Sequence, residues 1–190
     1  NLVSSTETSV DGLRSWHTLW NEGTPVTSQS HVIFDATNGY RFATNIAPDN
    51  SYSVAVMRYG TNVSVTQFDA LNHQLSSINY SYDTHGRPNA VTDARTGTTT
   101  YTFNAADQVT SVTTPDPDGG GPDPAQTTTM DYDIMGRVWK TTLSDGTSVT
   151  NEYYPTGRLK KSYGSRTYPV EYTYDFQGRM KTMKTWQDFA

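Results

Sequence analysis

Tyr132-Asp133-Ile134-Met135-Gly136-Arg137 is the stretch that decides how this chain folds. The same Y-D-x-x-G-R pattern stands at Tyr82-Asp83-Thr84-His85-Gly86-Arg87 and at Tyr174-Asp175-Phe176-Gln177-Gly178-Arg179. Looser copies are Phe68-Asp69-Ala70-Leu71-Asn72-His73, Phe103-Asn104-Ala105-Ala106-Asp107-Gln108 and Tyr153-Tyr154-Pro155-Thr156-Gly157-Arg158. The leading aromatics at 68, 82, 103, 132, 153 and 174 are 14, 21, 29, 21 and 21 residues apart. The long interval contains a Pro/Gly-rich insertion at 115–124. A recurring period of this size is the signature of a repeat architecture.

The motif reads as a hairpin turn. Type I turns favour Asp or Asn first and Gly fourth, and a left-handed fourth residue forms the bulge that closes a common hairpin loop. Where Gly is missing, Asn72 and Asp107 take its place, and both residue types tolerate left-handed geometry. Where Asp133's counterpart is Tyr154, Pro155 follows with its preset φ. The turn reading expects a positive φ at Gly136 and none at Gly119. Tyr80 and Tyr82, Tyr101 and Phe103, and Tyr172 and Tyr174 each lie two residues apart, on one face of a strand. Asp145-Gly146 reads as a two-residue hairpin loop between repeats. Residues 1–67 lack the motif, but Leu13 to Trp20, Val26 to Phe34, Ser51 to Tyr59 and Val63 to Phe68 have strand texture. The expectation is an all-β chain of consecutive hairpins, with a diverged region at 1–67 continuous with repeats at 68–190. A lone hairpin is marginally stable, so the units must join into a larger sheet.

Composition agrees. The chain has 190 residues, with 13 Tyr and 4 Trp, which suits a pleated, half-buried surface better than disorder. The formal charge of −5 argues against nucleic acid, which needs a basic patch. With no Cys, disulfides, zinc thiolates and cysteine nucleophiles are excluded. No apolar run approaches the roughly 18 residues of a membrane span. The start at Asn1 and the stop 16 residues after Tyr174 suggest a section of a longer protein.

The three Y-D-x-x-G-R copies and their 21-residue spacing resemble the Rhs or YD-repeat family, well over 68–190 and by texture alone over 1–67. Its members include bacterial polymorphic toxins, cocoon subunits of insecticidal toxin complexes, and animal teneurins. The resemblance implies a β-sheet spiralling into a hollow shell, an extracellular or cell-surface location, and the remaining repeats of a parent chain as partners. It also implies an autoproteolytic aspartyl site near the end of the repeats. Asp116-Pro117-Asp118-Gly119 matches that site only superficially, with Gly120 in place of Leu, and is read as an exposed loop.

No catalytic residue, cofactor site or metal site is assigned. The acidic loop at 116–123 lacks the spacing of a calcium-binding loop, and His17, His31, His73 and His85 are scattered without ligand spacing. The motif residues are assigned structural work. Asp83, Asp133 and Asp175 cap backbone donors, and Gly86, Gly136, Gly157 and Gly178 supply the bend. Tyr82, Tyr132, Tyr153 and Tyr174 pack between strands. Arg87, Arg137, Arg158 and Arg179 lie over aromatics or pair with carboxylates of the next repeat. Trp139 and Trp186, with Tyr163 and Tyr168, are the candidates for stacking on a glycan. The functional expectation is a non-catalytic wall or scaffold segment, self-associating through edge strands. The alternative is an adhesion module for glycan or protein.

Overall fold

The computed structural model describes residues 3–186 of the chain. It falls into two compact units, Asn1–Thr98 and Thr99–Ala190, so the first motif copies lie inside the first unit. The first eight strands are β1 (Ser4–Thr8), β2 (Arg14–Asn21), β3 (Thr24–Asp35), β4 (Tyr40–Ile46), β5 (Tyr52–Arg58), β6 (Thr61–Phe68), β7 (Gln74–Tyr82) and β8 (Pro88–Asp93). The next eight are β9 (Gly97–Phe103), β10 (Val109–Thr113), β11 (Thr127–Tyr132), β12 (Val138–Thr142), β13 (Ser148–Tyr153), β14 (Leu159–Gly164), β15 (Thr167–Tyr174) and β16 (Met180–Thr185). Strand order in the sheet is sequence order. This is an all-β fold of consecutive antiparallel hairpins in an open sheet.

The four strands expected between 13 and 68 are present as β2, β3, β5 and β6. Two more, β1 and β4, carry weak sequence signals. Ser4–Thr8 has no apolar side chain and is held by pairing with β2, from Ser4↔Leu19 to Thr8↔Ser15. In β4 the alternation Tyr40, Phe42, Thr44, Ile46 is diluted by Arg41, Ala43 and Asn45 between them.

The second unit has two unlike faces. Register aligns Thr100 and Thr102 with Thr113 and Ser111, then with Thr127 and Thr129. The row continues through Thr142 to Ser148, with Lys140 opposite Thr150 beside it. Hydroxyls meet across strands on this face, as in Thr113–Thr127 at 2.9 Å and Thr102–Ser111 at 2.7 Å. The opposite face carries Tyr101, Phe103, Val112, Met130, Tyr132, Val149 and Tyr153, because side chains alternate along each strand.

No side chain among the described residues is fully buried, and Pro169 alone among them counts as buried at all. The chain exposes 13030 Å², against roughly 9,000 Å² for a compact monomer of this mass. Cohesion therefore comes from the backbone ladder and cross-strand side-chain contacts, each such pair contributing about 0.2–1 kcal/mol.

Two local expectations change. Asp145-Gly146 is not a two-residue loop. Leu143 N–H donates to Thr147 C=O at 2.8 Å and Gly146 N–H to Leu143 C=O at 2.9 Å. This is the motif's own turn, built without its sequence. Gly119 has φ +68, close to the +77 of Gly136, because Asp116 Oδ1 accepts the N–H groups of both Asp118 and Gly119 and bends the loop tightly. Gly119 therefore does not serve as a strain-free contrast to Gly136.

Candidate functional site: the repeated turn and its ladder

The motif turn has one geometry. In Asp133–Arg137 the first N–H donates to the fifth C=O at 2.9 Å, and the fourth N–H returns to the first C=O at 2.9 Å. The same two bonds recur in 83–87, 104–108, 154–158 and 175–179. They recur again in 47–51, 69–73 and 143–147, after the strands that run the opposite way. This explains the 14-residue interval from Phe68 to Tyr82: the first lies at the end of β6, the second at the end of β7, and successive antiparallel strands end on opposite margins. The fourth residue has positive φ in all eight, including Asn50 at 65, Asn72 at 68 and Asp107 at 60. A register shift falls just before the leading aromatic, between Asp131 and Tyr132, Glu152 and Tyr153, and Thr173 and Tyr174.

The Asp is consumed within this turn. Asp133 Oδ1 accepts from Met135 N at 2.9 Å and Arg137 N at 3.0 Å, while Oδ2 accepts from Arg137 Nε at 2.7 Å. Asp83 and Arg87 repeat the arrangement, as do Asp175 and Arg179. The arginine thus pairs with the carboxylate of its own turn, not of the next repeat, because the bulge turns residue five back over residue one. The Arg137 hydrogen bonds hold the Asp133 carboxyl below its ordinary value, and Arg179 does the same for Asp175. In Asn104–Gln108 an amide pair replaces the ion pair, with Asn104 Nδ2 donating to Gln108 Oε1 at 2.9 Å.

Successive turns are tied by the tyrosines. Tyr132 Oη donates to Val109 O at 2.7 Å, Tyr153 to Val138 O at 2.7 Å, and Tyr174 to Leu159 O at 2.9 Å. Each acceptor is the residue immediately after the preceding turn. The preceding guanidinium then covers the tyrosine: Arg137 lies 4.5 Å over the Tyr153 ring and Arg158 lies 5.5 Å over Tyr174. Arg137 Nη1 also reaches Tyr154 O at 3.3 Å, and Gln108 Nε2 reaches Gly136 O at 2.8 Å. The motif glycine therefore meets a second demand. A Cβ on Gly136 would lie 2.9 Å from Gln108 Nε2, and one on Gly178 would overlap the Arg158 guanidinium. Sequence reasoning found the aromatic contact of the arginines but missed the tyrosine-to-carbonyl bond, whose only sequence trace is Tyr rather than Phe at 132, 153 and 174.

The structure does not bring the remaining candidates together. Trp139 flanks Lys140, which faces Asp131 and Thr150. Trp186 follows Thr185 on the far side of β15, beneath Lys161 Nζ at 5.8 Å. Alternation places the two tryptophans on opposite faces. His73 Nδ1 stands 2.9 Å from Asp69 Oδ2, in the place that Arg87, Arg137 and Arg179 take in their turns. In the 116–123 loop, Asp116 and Asp118 accept backbone N–H groups of their own loop. Among the described residues no three His, Cys, Asp or Glu side chains gather as a metal site. No helix there is long and apolar enough to cross a membrane.

Residues 82–118 match the RHS repeat family. No curated protein matches the chain. The crystal structure of TcdB2-TccC3-TEV has the same fold over 96% of this chain, with a TM-score of 0.58 at 11% identity. This chain spans 13% of that one. The Photorhabdus luminescens Tc holotoxin pore with the TccC3-D651A mutation aligns over 98% of the chain and 16% of its own, at 12% identity. Its TM-score of 0.44 is too low to bear on the fold. Residues 82–118 are thus RHS-repeat sequence, and the same turn, arginine and tyrosine ladder continues beyond them to Arg179.

Proposed function

We propose that this chain is a section of wall: a non-catalytic sheet segment of a large secreted or cell-surface YD-repeat protein, forming shell or scaffold. The observation that carries this reading is the use of the recurring polar groups. The Asp, Arg and Tyr that a repeated active site would need are instead bonded to their own turn and to the next one. TcdB2-TccC3-TEV supports the fold of such a segment. Adhesion is the competing reading, since Trp139 remains 40% exposed. A glycan array separates the two. The wall reading expects no saturable binding through Trp139, and specific binding abolished by Trp139→Ala would replace it with adhesion.

The outer edges of β1 and β16 give the sheet a route to pair with other strands, including those of another copy. Self-association by this route is open-ended when the two edges are different surfaces. Sedimentation velocity should show mass rising with concentration, and Met183→Pro in β16 should reduce it by removing an edge donor. A strictly monomeric profile in the unmodified chain rules this out.

A further inference from the structure

Arg14 on β2 and His31 on β3 are directly opposed in register, with Trp16 facing Gln29 beside them. Alternation puts Arg14 and Trp16 on one face of β2, and His31 and Ile33 on the same face of β3. These side chains line a hollow of about 620 Å³ in the first unit, with Asp11 at its rim. That volume falls within the range of small-molecule sites. The Arg14 guanidinium and the His31 ring, directly opposed across the strands, both offer N–H donors to the same space. Asp11 lies close enough to act on Arg14 electrostatically, but the two form no ion pair among the described residues. Asp11 Oδ1 is turned back to Ser9 Oγ and Leu13 N. Glu7, opposite Trp16 on β1, forms no ion pair among the described residues. Arg14 likewise has no ion pair there, although the chain as a whole is acidic.

We propose that this hollow binds a small aromatic carboxylate. The planar fork of Arg14 matches a carboxylate through two parallel N–H···O bonds, and His31 offers a ring N–H from the facing strand. Trp16 is half-buried and offers a ring face for the ligand's aromatic body. Ile33, which is 56% exposed, closes the apolar side. The site is independent of the turn ladder and of the wall reading.

Indole-3-acetate, titrated into the full chain by calorimetry or by NMR, is the test. Saturable binding is expected, weakened roughly tenfold or more both by Arg14→Gln and by replacing the ligand with indole-3-acetamide. Arg14 is exposed, so R14Q should melt as the parent does. Absence of saturable binding to the unmodified chain overturns the proposal. So does R14Q or the acetamide binding as tightly as the parent pair, since that outcome leaves only ring stacking.

Discussion

Gly164→Ala is expected to destabilise the second unit more than alanine at any motif glycine. A Cβ at Gly164 would overlap the Ser148 carbonyl and lie 2.9 Å from Val149 Cα. Both belong to the backbone of β13, which pairs with β14 through Val149↔Gly164. Ser165 N–H also donates to Ser148 O at 3.0 Å. The obstacle therefore cannot move without opening the ladder. Overpacking of this kind costs about 1–3 kcal/mol, and the upper end is expected here, a fall in Tm of roughly 10 °C. At Gly178 the obstacle is the tip of Arg158, which can swing aside, and at Gly86 nothing lies within 4 Å. Those two positions carry chiefly the strain of positive φ, about 1 kcal/mol. Thermal melting of the three alanine variants checks the order, and equal melting of G164A and G86A would show that β13 yields.

Acid should loosen the turns in a defined window. Asp145 is lowered to about 2, first by the Thr147 hydroxyl and then by Arg166, while Asp133 and Asp175 are lowered by Arg137 and Arg179. A carboxyl whose folded pKa lies below its unfolded value of 3.8 stabilises the fold above that value. The contribution is lost as pH falls through the folded pKa. Stability should therefore be flat from neutral pH to about 4 and decline toward pH 2. Asp145→Asn removes the titrating group, so the variant should begin less stable and lose less over that window. The check is a melting series from pH 7 to 2 on both proteins. An Asp145→Asn profile that falls as steeply as the parent's would remove Asp145 from the account.

How much was legible in advance follows from how local each interaction is. The motif turn is closed by bonds within five residues, so Asp133, Gly136 and Arg137 declare it in sequence. Asn72 and Asp107 confirm it where glycine is absent. Turn 143–147 was misread because its Asp stands third, bonding Thr147 instead of capping from the first position. That small move disguises the same backbone. The Tyr153–Val138 bond and the Arg137–Tyr153 contact span 15 and 16 residues, which only register can align. The tight contact of Gly164 with Ser148 is visible only once β13 lies beside it. Arg14 and His31 carry no motif at all; their meeting is a product of the β2–β3 register.

A sheet without a buried interior has an unusual thermal signature. The heat-capacity change of unfolding scales with apolar surface newly exposed to water, typically about 12–15 cal/mol/K per residue. Here much of that surface is already wet in the folded state, so the increment per residue falls below that range. A small increment flattens the dependence of stability on temperature. Such a sheet changes little between cold and warm surroundings, where a globular domain of equal stability would pass over a pronounced maximum.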